Sequence, residues 1–174
     1  MIRTLPSSYS AVFIMKKDCG GTGKVCTDLW RFKSIKSGKG YLAEVEQYER
    51  HVYAIKFYLK SQAHLDDRYS FKTNDFEPRR IVLTCIQIMH HYAMNDKQSS
   101  FVFVGSSSEN ESEFCNKRFR FYRRMMMSYF GFNTFMHFYD ESVSGYLLAR
   151  NTEVANGSIS PEYIADFFRN LYDF

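Results

Sequence analysis

The sequence predicts an α/β domain of the α+β type, in which helices flank a mixed, mostly antiparallel sheet and a further helix closes the chain. Two observations predict this class. Apolar residues alternate with polar ones in some segments, as in half-buried strands, and recur every three or four residues in others, as in amphipathic helices. These segments follow one another as a strand pair, a helix, a buried strand, a helix and a second strand pair.

The N-terminal part of the chain is predicted to form strands. Short apolar stretches at residues 10–15 and 30–35 predict two of them, separated by a glycine-rich turn at residues 20–23. The clearest alternation runs through residues 53–59, where every second side chain is apolar. Apolar and polar residues also alternate over residues 69–73, which predicts an antiparallel neighbour of that strand.

The rest of the chain is predicted to alternate helices with strands. A first helix is capped by Asn74 or Asp75, carries Pro78 in its first turn and ends near Asn95. Residues 101–104 are apolar on both faces, which is typical of a central strand covered on both sides. The remaining predicted elements are a helix over about residues 116–130, strands at 135–139 and 143–149, and a helix with Ser160 as its cap and Pro161 in its first position.

Length and composition narrow the classes of protein. A chain of 174 residues fits one domain over residues 1–174, and a hydrophobic share of 45% excludes global disorder. No apolar run reaches the ~20 residues of a membrane span, and residues 11–15 are too short for the core of a signal peptide. We therefore expect a cytoplasmic protein without membrane contact. The cysteine spacing predicts free thiols and no metal site.

The predicted second helix resembles a known enzyme family. Asn116-Lys117-Arg118-Phe119, then Phe121-Tyr122 and Gly131-Phe132, are similar to the late helix of GNAT-type acyltransferases. The resemblance covers roughly residues 43–150. It implies a GNAT-like fold, Tyr122 near the position of the general acid, and acetyl-CoA as the cofactor if the chain is an enzyme. In this sequence the Tyr comes one residue earlier, and the Gly-Phe pair several residues later, than in the family pattern.

A closer resemblance is to an uncharacterised bacterial family with a degenerate GNAT-like fold. It is carried by the strand at residues 53–59, the Asn74-Asp75 helix start, residues 101–105, and the segment from Asn116 to Tyr122. This resemblance implies a fold and a bacterial origin, but it implies no established activity.

The chain departs from active GNAT enzymes at the start of the first predicted helix. Those enzymes bind the pyrophosphate of acyl-CoA through a loop of the form Arg/Gln-x-x-Gly-x-Gly/Ala, in which glycines let backbone N–H groups reach the phosphates. Residues 74–80 contain no glycine here, Pro78 lacks an N–H, and Asp75 and Glu77 would repel a pyrophosphate. We therefore expect a non-catalytic binding protein without a cofactor. An acyl-CoA-dependent N-acyltransferase with an atypical cofactor loop is the alternative.

Two features are candidates for a ligand- or phosphate-binding surface. Gly105 and Ser106 leave the buried strand ahead of a helix, a position where backbone N–H groups can hold an anion. Lys117, Arg120 and Arg124 line one side of that helix and could contact phosphates. The alternatives are an ordinary surface loop and a solvated helix face, which the net charge of only +4 also allows. The partner is then an unknown protein or nucleic acid, and a homodimer is allowed.

Overall fold

In the computed structural model of the protein, helices pack against a mixed β-sheet. The structure describes residues 5, 7–17, 20, 23–69, 77–105, 112 and 114–172, with residues 167–172 described by their backbone only. In chain order the strands and α-helices are β1 (Val12–Lys17), β2 (Lys24–Lys33), β3 (Gly40–Tyr48), β4 (Val52–Leu59), α1 (Pro78–Asn95), β5 (Ser100–Val104), α2 (Lys117–Tyr129), β6 (Phe135–Asp140), β7 (Gly145–Arg150), α3 (Asn151–Ala155) and α4 (Pro161–Tyr172).

Among the described residues, seven strands form one sheet in the order β1-β2-β3-β4-β5-β7-β6. Every neighbouring pair is antiparallel except β4 and β5, which are parallel. The parallel pair is joined through α1, because parallel neighbours need a crossover connection. The predicted α+β class with a mixed, mostly antiparallel sheet is therefore confirmed.

The main hydrophobic core lies between one face of the sheet and the helices α1 and α2. Tyr41, Ala43 and Val45 of β3 point to this face and are at most 1% exposed. Ile86 of α1 and Phe119 of α2 pack into the same core and are completely buried. The three- and four-residue spacing of the apolar residues in both helices places these side chains on the side facing the sheet.

A smaller core lies on the opposite face, where β4, β5 and β7 meet the segment that leads into α4. Val52 and Ala54 of β4 contribute to it from the sheet, and Ile159 and Ile164 contribute from the C-terminal segment. Because successive residues of a strand point to opposite faces, β4 supplies both cores.

The predicted elements agree with the structure except at some boundaries. The strand at residues 53–59 and the helix that carries Pro78 in its first position are confirmed. The predicted strand at 30–35 is wrong in extent, because β2 begins at Lys24. Thr27 and Asp28 of β2 are polar but face the protein rather than solvent. This part of the strand therefore lacks the apolar run that would predict it. The alternation at 69–73 and the predicted caps at 74–75 lie outside the described residues, apart from Tyr69, which is in a turn.

One further strand and one further helix refine the prediction. β3 pairs with β4 from Tyr41 to Tyr48, and α3 is a short helix that the periodicity did not indicate. Within the described part of the chain, no helix is both long enough and apolar enough to cross a membrane.

Candidate functional site

Gly105 lies at the end of β5, where the sequence predicts a phosphate-binding turn. Its N–H donates to the carbonyl of Ser144 at 2.9 Å, and its carbonyl accepts from the side-chain amide of Asn116. A Cβ at this position would lie 2.8 Å from Asn116 Oδ1 and 2.9 Å from the backbone N of Phe119. Glycine is therefore required by close packing, and both backbone polar groups of Gly105 bond within the chain. Ser106 lies outside the described residues.

Asn116 caps the start of α2. Its side-chain oxygen accepts from the N–H of Phe119 at 2.8 Å, and its own N–H donates to the hydroxyl of Ser144 at 3.0 Å. The residue is buried, so these bonds replace water completely. The cap satisfies one of the N–H groups that an anion at this helix start would otherwise use.

Lys117, Arg120 and Arg124 lie exposed along α2, and we call them the basic face. Arg120 donates to the carbonyl of Cys115 at 2.6 Å, which orients its side chain toward the first turn of the helix. The structure thus brings these three cations together on the surface, as the helical spacing predicts. No carboxylate of the described residues forms an ion pair with Arg120 or Arg124.

The other two arginines of α2 serve the fold. Arg118 donates to the carbonyl of Tyr69 at 2.9 Å. Arg123 forms an ion pair with Glu141 at 3.1 Å and stacks its guanidinium 3.7 Å from the ring centre of Tyr139. The basic residues of α2 are therefore divided between a side that contacts the fold and a side that faces solvent.

Tyr122 lies where β4 and β5 separate. The two strands pair over three residue pairs only, from Val52↔Ser100 to Ala54↔Val102. Beyond that point the ring of Tyr122 packs between Phe57 and Phe103, at centroid distances of 6.4 and 5.4 Å. Burial raises the pKa of its phenol, which therefore stays protonated at neutral pH. Within the described chain, no hydrogen bond to this hydroxyl is present.

Glu77 occupies the start of α1, at the place where the GNAT resemblance puts a pyrophosphate. Its side chain is only 6% exposed, and its carboxylate accepts hydrogen bonds from the hydroxyls of Tyr9 and Ser34. The hydroxyl of Ser37 lies 3.4 Å from the same carboxylate. The loop between β2 and β3 and the segment before β1 thus hold a buried acidic group at this helix end.

The backbone at the start of α1 offers few donors to a ligand. Pro78, the first helical residue, has no N–H. The N–H groups of Arg80 and Ile81 donate to the carbonyl of Glu77 at 3.1 and 3.4 Å. In the first turn this leaves only the N–H of Arg79, whereas an anion site at a helix start needs several converging N–H groups.

The partners of Glu77 could not be found from the sequence. Tyr9 and Ser34 lie 68 and 43 residues away along the chain. The only local signal is a glutamate ahead of a proline, which indicates repulsion of phosphate but does not indicate burial.

The described residues offer no metal centre. Among the described residues, no group of three or more His, Cys, Asp or Glu side chains is placed to hold a metal ion. Comparison of the chain with protein-family models, with curated proteins and with solved structures finds no match.

Proposed function

We propose that this protein is a non-catalytic binding protein on a degenerate GNAT-like scaffold. Two features support the scaffold. The sheet is mostly antiparallel, with one parallel pair among the described strands, and the helix after β5 is capped by Asn116 and carries Tyr122. The bacterial origin and the cytoplasmic location stay predictions from the sequence.

The buried carboxylate of Glu77 is the observation that supports the absence of acyl-CoA binding in this proposal. At an effective dielectric constant of ~20, a phosphate charge roughly 5 Å from a carboxylate is destabilised by about 3 kcal/mol, or more than a hundredfold in affinity. The exposed guanidinium groups of Arg79 and Arg80 offset part of this repulsion. They do not restore the missing backbone donors, so the residues present do not fit the pyrophosphate of acetyl-CoA.

Calorimetric titration with CoA and acetyl-CoA tests this part of the proposal. We expect no saturable heat at ligand concentrations up to about 1 mM. Glu77→Gln keeps two hydrogen-bonding atoms but removes the charge, so binding that emerges only in this variant would identify repulsion as the obstacle. Saturable micromolar binding by the unaltered protein would refute the proposal.

The basic face of α2 is the binding surface that we propose, and an anionic partner such as nucleic acid fits its charge. If all three cations contact phosphates of a duplex, the slope of log affinity against log salt is about −2.7. The triple variant in which Lys117, Arg120 and Arg124 become Ala should lose nearly all of this slope.

A matched control removes the same charge elsewhere. Lys33, Lys36 and Lys97 are also exposed, so their joint replacement by Ala lowers the net charge equally and leaves α2 intact. We expect this control to keep the salt slope. Equal losses in both triple variants would show that only the net charge matters, and would reject a specific surface on α2.

The N-acyltransferase alternative rests on one observation, the protonated Tyr122 hydroxyl in the gap between β4 and β5, which has no hydrogen-bond partner in the described chain. In that alternative Tyr122 is the proton donor. Tyr122→Phe removes the hydroxyl without breaking a bond of the fold, so it should abolish any acyl transfer while leaving the melting temperature unchanged. Transfer activity that survives in Tyr122→Phe would exclude this role.

A further inference from the structure

A cavity of about 820 Å³ lies at the β1 edge of the sheet, beside α1. Its lining includes Phe13 of β1, Asp28 and Trp30 of β2, and His91 and Tyr92 of α1. In the strand order β1 is the edge, whereas Tyr122 packs between β4 and β5 and the basic face lies on α2. The cavity is therefore separate from Tyr122 and from the basic face, and a ligand bound in it is independent of the proposed function.

Asp28 gives the cavity its charge, and its carboxylate is held in a fixed orientation. One oxygen, Oδ2, accepts from the hydroxyl of Tyr92 at 2.5 Å, and that hydroxyl in turn accepts from Trp30 Nε1 at 3.1 Å. The other oxygen, Oδ1, is buried and has no hydrogen-bond partner in the described part of the chain. A buried carboxylate oxygen without a hydrogen bond is costly, and the charge nearest to this atom is the exposed ammonium of Lys16.

Lys16 supplies the nearby positive charge. Its ammonium lies 3.4 Å from Asp28 Oδ1, and its side chain is 52% exposed. An exposed lysine contributes only about 0.2–1 kcal/mol in such a pair. Moving it away also breaks the hydrogen bond that its ammonium donates to Cys26 Sγ at 3.3 Å. The Lys16 ammonium thus occupies the position beside Asp28 that the cation of a bound ligand would take.

Aromatic rings form the rest of the wall. Phe13 and His91 each meet Trp30 edge to face, at centroid distances of 5.5 and 5.4 Å, and Phe13 is 46% exposed. Such rings bind both an alkyl stem and a cation at its end. Burial lowers the pKa of His91, so the imidazole is neutral at pH 7 and does not repel a cation.

We propose that this cavity binds an organic cation, a primary ammonium or guanidinium group on an alkyl stem, with its charge on Asp28 and its stem against Phe13 and Trp30. The ligand displaces the ammonium of Lys16. The same chemistry is offered by a free alkylamine and by a lysine or arginine side chain of a peptide.

Trp30 is the only tryptophan of the chain, so its fluorescence reports occupation of the cavity directly. Agmatine serves as the free probe, a capped lysine-containing peptide as the second probe, and a neutral alcohol of similar length as the control. We expect saturable fluorescence changes with the cations and none with the alcohol. Equal affinities would favour a free amine as the natural source, and a peptide that binds about tenfold more tightly would favour a protein side chain.

Two substitutions give opposite expected results. Asp28→Asn keeps the shape and the acceptor for Tyr92 but removes the charge, and should weaken agmatine binding by about tenfold or more. Lys16→Met removes the competing cation and should strengthen binding about two- to fivefold. Lys33→Met, which removes an exposed charge at the far end of β2, is the matched control and should leave the affinity unchanged.

The proposal is overturned if Trp30 fluorescence responds to neither cation up to about 10 mM. It is also overturned if Lys16→Met weakens binding or matches Lys33→Met. Should Asp28→Asn fail to fold, as judged by circular dichroism, the comparison of the two lysine variants decides the question alone.

Discussion

Replacing Gly105 by alanine tests whether this glycine is required by packing. The new Cβ would lie 2.8 Å from Asn116 Oδ1, 2.9 Å from the N of Phe119 and 3.0 Å from its Cβ. Real Cβ atoms do not approach so closely, so either β5 or the start of α2 must move. Asn116 and Phe119 are both buried, which leaves little room for that movement.

The cost can be worked out from the bonds that the movement breaks. Displacing Asn116 loses the cap of α2, worth about 1 kcal/mol, and its hydrogen bond to the Gly105 carbonyl, worth another ~1 kcal/mol. Residual crowding adds about 1 kcal/mol. We therefore expect Gly105→Ala to lower the free energy of unfolding by about 3 kcal/mol, and the melting temperature by roughly 6–12 °C for a chain of this size.

Urea denaturation followed by circular dichroism measures the change, and Gly131→Ala is the control. Gly131 follows α2, and a Cβ there would meet no atom within 4 Å. This control should change the free energy of unfolding by less than about 1 kcal/mol. If the two variants are equally stable, the packing argument is refuted.

Two further predictions concern the fold. Arg150 is 8% exposed and its Nη2 donates to the carbonyl of Ala93 and to the hydroxyl of Ser99, at 2.9 and 3.1 Å. Arg150→Met leaves these groups, in the last turn of α1 and just before β5, without their donor and should cost about 3 kcal/mol in thermal unfolding. A loss below about 1 kcal/mol would contradict this role. Burial lowers the pKa of His137, so the unfolded chain binds its proton first, and stability should fall as the pH drops below about 6.5. His137→Gln should flatten this decline in urea titrations, whereas His64→Gln, in an exposed turn, should serve as a control that keeps it.

Two hydrogen bonds set the tautomer of the neutral His137 ring. Its Nε2 faces the carbonyl of Phe130 at 3.0 Å and must donate, so Nδ1 accepts from the hydroxyl of Tyr146 at 2.5 Å. A second proton on Nδ1 would require the Tyr146 hydroxyl to turn from donor to acceptor, and burial opposes the added charge. The neutral ring is therefore the form that the fold favours.

The sequence by itself determined those elements whose signal is local. The alternation at residues 53–59 specified β4, and the three- and four-residue spacing together with Pro78 and Pro161 specified α1 and the start of α4. The same spacing placed Lys117, Arg120 and Arg124 together on α2. Such signals join residues within one or two turns of each other, so they can be found without knowledge of the fold.

Only the tertiary structure decided which residues surround the chemically important groups. Glu77 is buried by Tyr9 and Ser34, and Asp28 is oriented by Tyr92, which lies 64 residues away. These contacts exist because a seven-stranded sheet brings distant segments to one helix. Periodicity reports which face of an element is apolar, but it does not report which other element covers that face. The surroundings of Glu77 and of Asp28 therefore follow from the strand order and cannot be predicted from local sequence patterns.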